Sequence, residues 1–380
     1  MDFLASMGGT AGWLLGYVIP FLFVLTIVVF FHELGHFWVA RRAGVRVVAF
    51  SVGFGPEIVG FNDRHGTRWR LSAIPLGGYV KFLGDDNAAS TPDRDQLRGM
   101  SEADRRESFF HKPVGARAAI VAAGPIANFL LAIVIFSVLF MTVGRPVMTP
   151  QVDTIQPGSA AERAGFQPND IILSIDGTPI ETFGDMQRIV SASADQPLRI
   201  EIDRSGQQLA LTATPDRREM TDTFGNVHRL GVLGISRATG GEVKTETYGP
   251  VESVGMATRE VWYIVDRTFD YLGGVVTGRE SADQLGGPIR IAQVSGQVAT
   301  FGMAALFQLA AVLSVSIGLL NLFPVPLLDG GHLLFYAVEA LRGRPLSERA
   351  QEYGFRIGLA LVLMLMLFAT WNDILNISRS

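Results

Sequence analysis

Four apolar stretches constrain this chain more than any other feature: Ala11 to about Ala40, Ala118–Val143, Met303–Leu328 and about Ile357–Trp371. A helix needs about 20 apolar residues to cross the hydrocarbon of a bilayer. The second and third stretches each run for 26 residues without a charge, whereas the fourth has only 15 and borrows from the turn Tyr353–Arg356 before it. The expected fold class is therefore a polytopic α-helical membrane protein with four transmembrane helices, in contact with the lipid bilayer. Composition agrees: charged residues make up 18% of the 380, against roughly 25% in soluble domains. Residues 1–31 contain no Lys or Arg, so the first span lacks the basic region of a cleavable signal peptide. The absence of cysteine excludes a disulfide framework and cysteine zinc sites. A net charge of −4 gives no electrostatic reason to expect a nucleic-acid partner.

Loop charge orients the spans. The loop Arg41–Arg117 holds 13 Lys/Arg against 9 acids, and Leu341–Arg356 holds 4 Arg against 2 Glu. The long loop Gly144–Gly302 holds 14 basic and 20 acidic residues. Short loops rich in Lys and Arg stay cytoplasmic, while long loops can be translocated. Both termini and residues 144–302 are thus expected outside the cytoplasm.

The first span contains Phe31-His32-Glu33-Leu34-Gly35-His36, an H-E-x-x-H motif. On a helix, residues i and i+4 share a face, so His32 and His36 can bind one Zn²⁺ between them. Glu33 beside them can act as general base on a metal-bound water. Three ionisable residues in a span are costly and point to function; the bland alternative is a polar helix contact or a proton relay. Catalytic zinc usually takes three protein ligands. The third is expected from Asn321-Leu-Phe-Pro-Val-Pro-Leu-Leu-Asp329-Gly-Gly-His332, where Asp329 is the only acid. His36 and His32 lie roughly 8 and 13 Å from the inner end of their span, counting 1.5 Å per residue, and Asp329 lies at the inner end of its own. Pro324 and Pro326 break the helix before Asp329, which is tolerated at membrane depth where backbone lines a cavity. The alternative for Asp329 is a helix N-cap. His332 is a weaker candidate ligand, better suited to a structural role or to supporting a ligand, and His65, His111 and His228 read as surface.

These residues resemble the site-2 protease family of intramembrane zinc metalloproteases, most closely its bacterial regulator-of-sigma-E branch. The resemblance spans nearly the whole chain. It rests on Phe31–His36, Ile74–Asp85 (IPLGGYVKFLGD), Ala123-Gly-Pro-Ile-Ala-Asn128, Gly287–Ala292 (GPIRIA) and Asn321–His332. It implies zinc held by His32, His36 and Asp329, with Glu33 as catalytic glutamate and Asn321 contacting substrate backbone near the metal. Asn128, Gly77 and Gly78 are implied to help position substrate; for Gly124 and Pro125 the plain alternative is helix packing. The implied substrates are single-pass membrane proteins already trimmed outside, such as anti-sigma factors in a sigma-E stress response, or remnant signal peptides. The implied location is the bacterial inner membrane.

Val45–Gly53 and Arg68–Phe82 read as β segments broken by Gly and Pro. In the family such segments form a re-entrant β element next to the site, whose edge could pair with an unwound substrate; the alternative is an ordinary cytoplasmic hairpin. Residues 84–112 are charged and end in a helix towards Phe109-Phe110-His111. Residues 150–236 look soluble and β-rich, and Gln156–Gly177 resembles a bacterial PDZ domain (α+β), a fold that binds extended peptides. Its short helix ends at Gly165, Asp176-Gly177 form a tight turn, and Gly184–Ser193 form a second helix. A peptide ligand or a rigid spacer both suit it. Residues 250–277 suit an amphipathic helix on the membrane surface or one packed on the outer domain, and Pro288–Ala299 lead into the third span.

The expected organisation is thus 1–41 first span, 42–117 re-entrant element and cytoplasmic loop, and 118–143 second span. A PDZ domain follows at 150–236, a surface linker at 237–302, the third segment with the Asp ligand at 303–340, and a loop with the fourth span at 341–380. Two other classes compete with an intramembrane protease. A membrane PDZ adaptor with a non-catalytic metal site would be expected to have lost a ligand or Glu33. A metal transporter would need several metal clusters along a path.

Overall fold

The computed structural model describes residues 14–85, 94–147, 149–221, 227–236, 244–279, 282 and 286–379. Ala11 to Trp13 of the first span, part of the charged stretch 84–112 and the side chain of His228 lie outside the described residues. The chain divides into two units, Met1–Leu139 with Gly249–Asp373, and Phe140–Tyr248 with Ile374–Ser380.

In the first unit, a π-helical turn, Leu14–Val18, runs into helix α1 (Ile19–Arg42), with Pro20 in its first turn and Arg41 and Arg42 in its last. Pro20 has no N–H to donate back into the preceding turn, which fits the change from π- to α-helical bonding at this point, and basic residues suit the negative end of the helix dipole. Strands β1 (Val47–Asn62) and β2 (Arg68–Phe82) follow, paired antiparallel. They are not a flat hairpin. Phe50 pairs with both Val80 and Trp69, and Phe61 also pairs with Trp69. Each strand therefore bends and pairs twice, giving the lateral order 78–82, 47–54, 68–72, 57–62. Gly53 and Gly55, both at positive φ, supply the bend in β1. The inner end of this curled sheet is buried with α1 through Phe37, Ala40, Val47, Phe50, Val80 and Phe82. Its far end exposes Ile58, Val59 and Phe61, which suits contact with lipid better than with water. The charged stretch carries two short helices, α2 (Arg94–Gly99) and α3 (Glu102–Glu107), and a 3₁₀ turn at Phe109–His111. Helix α4 (Val114–Thr142) then passes through an internal Pro125.

The second unit holds β3 (Arg145–Val147), β4 (Thr154–Ile155), α5 (Ala160–Ala164), β5 (Ile171–Ile175), β6 (Thr178–Pro179), α6 (Phe183–Ala192), β7 (Leu198–Arg204), β8 (Gln207–Ala213), β9 (Asp216–Thr221), β10 (Val227–Val232), β11 (Ile235–Ser236) and β12 (Lys244–Glu246). The main sheet has the order β6-β5-β7-β8, all antiparallel. Val152, Phe166, Ile172, Ile175, Met186, Val190, Ile200 and Ile202 fill the core between sheet and helices. Asp176 and Gly177 both have positive φ, the geometry a two-residue hairpin needs. Helix α5 ends at a left-handed Gly165, and Thr182 with Asp185 forms a capping box on α6. Burial alone would raise the Asp185 carboxyl. Hydrogen bonds from Thr182 and Arg188 and the charges of Arg145 and Arg188 outweigh it and hold the group below its ordinary range.

Back in the first unit, α7 (Pro250–Val276) is amphipathic and α8 (Pro288–Thr300) begins at Gly287. Helix α9 (Met303–Asn321) is followed by an irregular segment, then α10 (Asp329–Arg342) and α11 (Glu348–Arg379). The third span was expected to continue to Leu328. It stops at Asn321, because Pro324 and Pro326 can donate no helical hydrogen bond. The fourth helix is much longer than the 15 residues legible as apolar, since its polar first turns are helical too. Among the described residues, four helices are long and apolar enough to cross a membrane: Leu15–Arg42, Val114–Thr142, Met303–Asn321 and Arg349–Leu375.

Candidate metal centre and active site

Helix α1 places His32 and His36 one turn apart, and α10 brings Asp329 to them across nearly 300 residues of sequence. His32 Nε2 lies 3.2 Å from His36 Nε2 and 3.2 Å from Asp329 Oδ2, and His36 Nε2 lies 3.5 Å from Asp329 Oδ2. A tetrahedral zinc with ligands at about 2.0–2.1 Å has ligand–ligand edges of about 3.3–3.4 Å. The three observed separations match one face of such a tetrahedron. Proton positions support the same reading. His36 Nδ1 lies 2.9 Å from the Ile120 carbonyl, which can only accept, so Nδ1 carries the proton and Nε2 presents a lone pair. Asp329 Oδ2 is buried with no hydrogen-bond partner. Lone pairs gathered this closely repel unless a cation sits among them, so the residues fit a zinc ion. Among the described residues, this is the one group of three or more such side chains able to hold a metal.

Asp329 reaches the site because the segment before it folds back tightly. Cβ atoms at Gly330 and Gly331 would lie 2.3 Å from the Leu322 and Phe323 carbonyls and 2.4 Å from the Val325 carbonyl. Leu327 has φ 113, a strained conformation costing on the order of 1–3 kcal/mol. Asp329 is not the N-cap of α10. Leu328 holds that position, with no side-chain cap, and the Asp329 carboxylate faces the histidines instead.

Beside the triad lies a cavity of about 220 Å³, lined by Glu33, Gly78, Tyr79, Val80, Asn321 and His332 together with the three ligand candidates. Glu33 accepts a hydrogen bond from the Val80 backbone N–H, so the edge of the curled sheet aims it. A Cβ at Gly78 would lie 3.1 Å from Glu33 Cγ and 2.9 Å from Val29; only glycine lets β2 approach α1 so closely. Asn321 lines the cavity from the end of α9, as a substrate-contacting residue must. Gly77 is not part of the cavity lining. It sits at φ 135 against the Phe54 ring, where it shapes the sheet.

Asn128 lies behind one of the ligand candidates. It is fully buried and absent from the cavity wall, and its side-chain amide meets His32 Nδ1 at 3.3 Å. Asn128 Oδ1 is buried without a partner. Turning the amide about its last torsion satisfies both groups: His32 Nδ1–H donates to Oδ1 and Nε2 is left free for a metal. That contact would let Asn128 orient a metal ligand. Asn128→Ala is expected to weaken zinc binding about 10–100-fold, read by competition with a chromophoric chelator. Gly124, for which helix packing was the plain alternative, leaves room by its absent side chain for both imidazoles: a Cβ there would lie 2.3 Å from His36 Nε2 and 2.9 Å from His32 Cε1. The signal was present in Gly124-x-x-x-Asn128, whose i, i+4 spacing puts both residues on the face that meets α1. His65 and His111 are exposed.

Spanning helices that enclose an H-E-x-x-H pair, a distant carboxylate and a neighbouring glutamate on a cavity define a membrane-embedded metalloprotease. A family model described as Peptidase family M50 matches residues 20–365. Metalloprotease MmpA of Caulobacter vibrioides is 42% identical over 94% of this chain and 95% of its own length. R01501 of Rhizobium meliloti, named as a candidate zinc metalloprotease, is 56% identical over 95% of this chain and 97% of its own length. The regulator of sigma E protease of Salmonella typhi is 32% identical over 93% and 97%. The chain belongs to peptidase family M50, the site-2 proteases, and is a zinc metalloprotease.

Proposed function

We propose that the protein hydrolyses peptide bonds within the transmembrane segments of single-pass membrane proteins. The observation that carries this is the tetrahedral spacing of His32, His36 and Asp329 on helices long and apolar enough to span a bilayer. His32, His36 and Asp329 hold zinc, which when bound lowers the pKa of its water and polarises the scissile carbonyl. Glu33 takes the proton of the attacking water and delivers it to the leaving amine. A helical substrate hides its own amides, so it must unwind to be cut. The edge at residues 78–80, apart from the Val80 N–H that Glu33 takes, offers backbone partners to the unwound strand, and Asn321 steadies that strand from the other wall.

The charge pattern supports an inner-membrane protein with both termini and residues 144–302 outside the cytoplasm. The antiparallel sheet, the Gly165-capped helix and the capped α6 support a PDZ domain over 150–236 that selects substrates by an extended segment. The similarity to the regulator of sigma E protease supports anti-sigma factors or remnant signal peptides as substrates. The reading is tested with purified protein in detergent and a tagged single-pass substrate. Cleavage is expected to stop when a chelator strips the metal and to return on adding zinc; cleavage indifferent to both would overturn it.

A further inference from the structure

The cavity holds a side chain that neither binds the metal nor moves the water's proton. His332 lies on the first turn of α10, three residues after Asp329, so the two share a helix face. It lines the cavity with Glu33, Asn321 and the triad, yet it stands outside the group of converging ligand atoms. Its ring is braced between Tyr336, 6.4 Å away by centroid, and Phe355 of α11 at 5.4 Å. Phe335 packs edge-on against Phe355 behind it. Aromatic packing therefore sets the direction of the imidazole, although neither ring nitrogen has a hydrogen-bond partner among the described residues.

Peptide hydrolysis places growing negative charge on the scissile carbonyl oxygen, and that charge calls for a preorganised donor. Most polar groups at the cavity cannot serve. Glu33 and Asp329 are acceptors when ionised. His36 Nδ1–H is committed to Ile120 and His32 Nδ1 to Asn128. Tyr336 accepts from Arg117 and keeps its own O–H, but it lies seven residues beyond Asp329 on α10, and the Tyr79 ring is stacked on Phe54 with Arg70 over it. Beside these hydroxyls, Asn321 and His332 are the donors nearest in the chain to the segment that carries Asp329. Asn321 ends α9, while His332 sits one turn from a metal ligand, where the reacting carbonyl must be. A neutral imidazole always carries one N–H.

We propose that His332 is a catalytic residue that donates a hydrogen bond to the scissile carbonyl oxygen as it becomes an oxyanion. This rests on the zinc-protease reading above.

The test compares wild type, His332→Ala, His332→Gln and Glu33→Gln, all purified in detergent. Four quantities are read: zinc per chain, kcat and KM on a single-pass substrate, and affinity for a peptide carrying a tetrahedral phosphonamidate at the scissile position. His332→Ala is expected to keep one zinc per chain and KM within about twofold, to lose about 10²–10³-fold in kcat, and to lose phosphonamidate affinity in parallel. His332→Gln, which keeps an N–H donor of similar reach, is expected to recover at least tenfold of the loss. Loss of zinc from His332→Ala would make His332 a ligand and overturn the proposal. An unchanged kcat, or a fall in kcat with phosphonamidate affinity intact, would overturn it too. Wild-type activity that is unaffected by Glu33→Gln would instead sink the protease mechanism on which the proposal stands, and the two failures are therefore distinguishable.

Discussion

Gly124→Ala is expected to leave the protein folded, without zinc and inactive. The added methyl would sit 2.3 Å from His36 Nε2, 2.4 Å from His36 Cε1 and 2.9 Å from His32 Cε1. Carbon does not approach nitrogen or carbon that closely, so the imidazoles must move. His36 cannot move cheaply, because its Nδ1–H is held by Ile120 on the same helix that carries the new methyl. The ligand face, whose edges now suit zinc, would open. Alanine is a better helix former than glycine by about 1 kcal/mol, so local propensity does not oppose the change and the effect concentrates on the metal. Zinc affinity is expected to fall at least about 100-fold, the upper end for disturbing the support of a ligand, and cleavage to fall with it. Gly115→Ala is the matched control: on the same helix, a Cβ there meets nothing within 4 Å, so zinc and activity should both persist. Metal analysis of the two purified variants decides the matter.

Glu33→Gln is expected to separate metal binding from chemistry. Glu33 is not in the ligand group, and glutamine keeps an oxygen to accept the hydrogen bond from the Val80 N–H. The variant should therefore fold and hold one zinc per chain. What it loses is the capacity to take a proton from water, so kcat is expected to fall about 10²–10⁴-fold with KM little changed. A zinc-loaded Glu33→Gln with wild-type turnover would remove Glu33 from the mechanism.

The catalytic core was legible in the sequence for a definite reason. H-E-x-x-H is a local pattern whose geometry follows from helical periodicity, and Asp329 is the only acid near the inner end of an otherwise apolar run. Both survive without knowledge of packing. Asn128 was assigned to the substrate, whereas the structure sets it against His32, 96 positions away in the chain; nothing in the periodicity of α4 names the helix it meets. Gly124 read equally well as a packing glycine, because the volume it leaves free belongs to side chains on another helix. The curled sheet escaped for a similar reason. The Gly53 and Gly77 positions announce bends, but pairing of 49–52 on both sides is a tertiary fact. The fourth helix was read short because apolar runs report lipid contact rather than helix length.

Whether this zinc centre cuts inside the membrane is read most directly from the scissile bond itself. The protein would be reconstituted into lipid vesicles with a tagged single-pass substrate, and the fragments identified by intact-mass spectrometry. The expected result is a single zinc-dependent cut within the substrate's apolar segment, towards its cytoplasmic half if the proposed orientation holds. A cut confined to the substrate's aqueous regions, made by the same zinc-dependent protein, would contradict it.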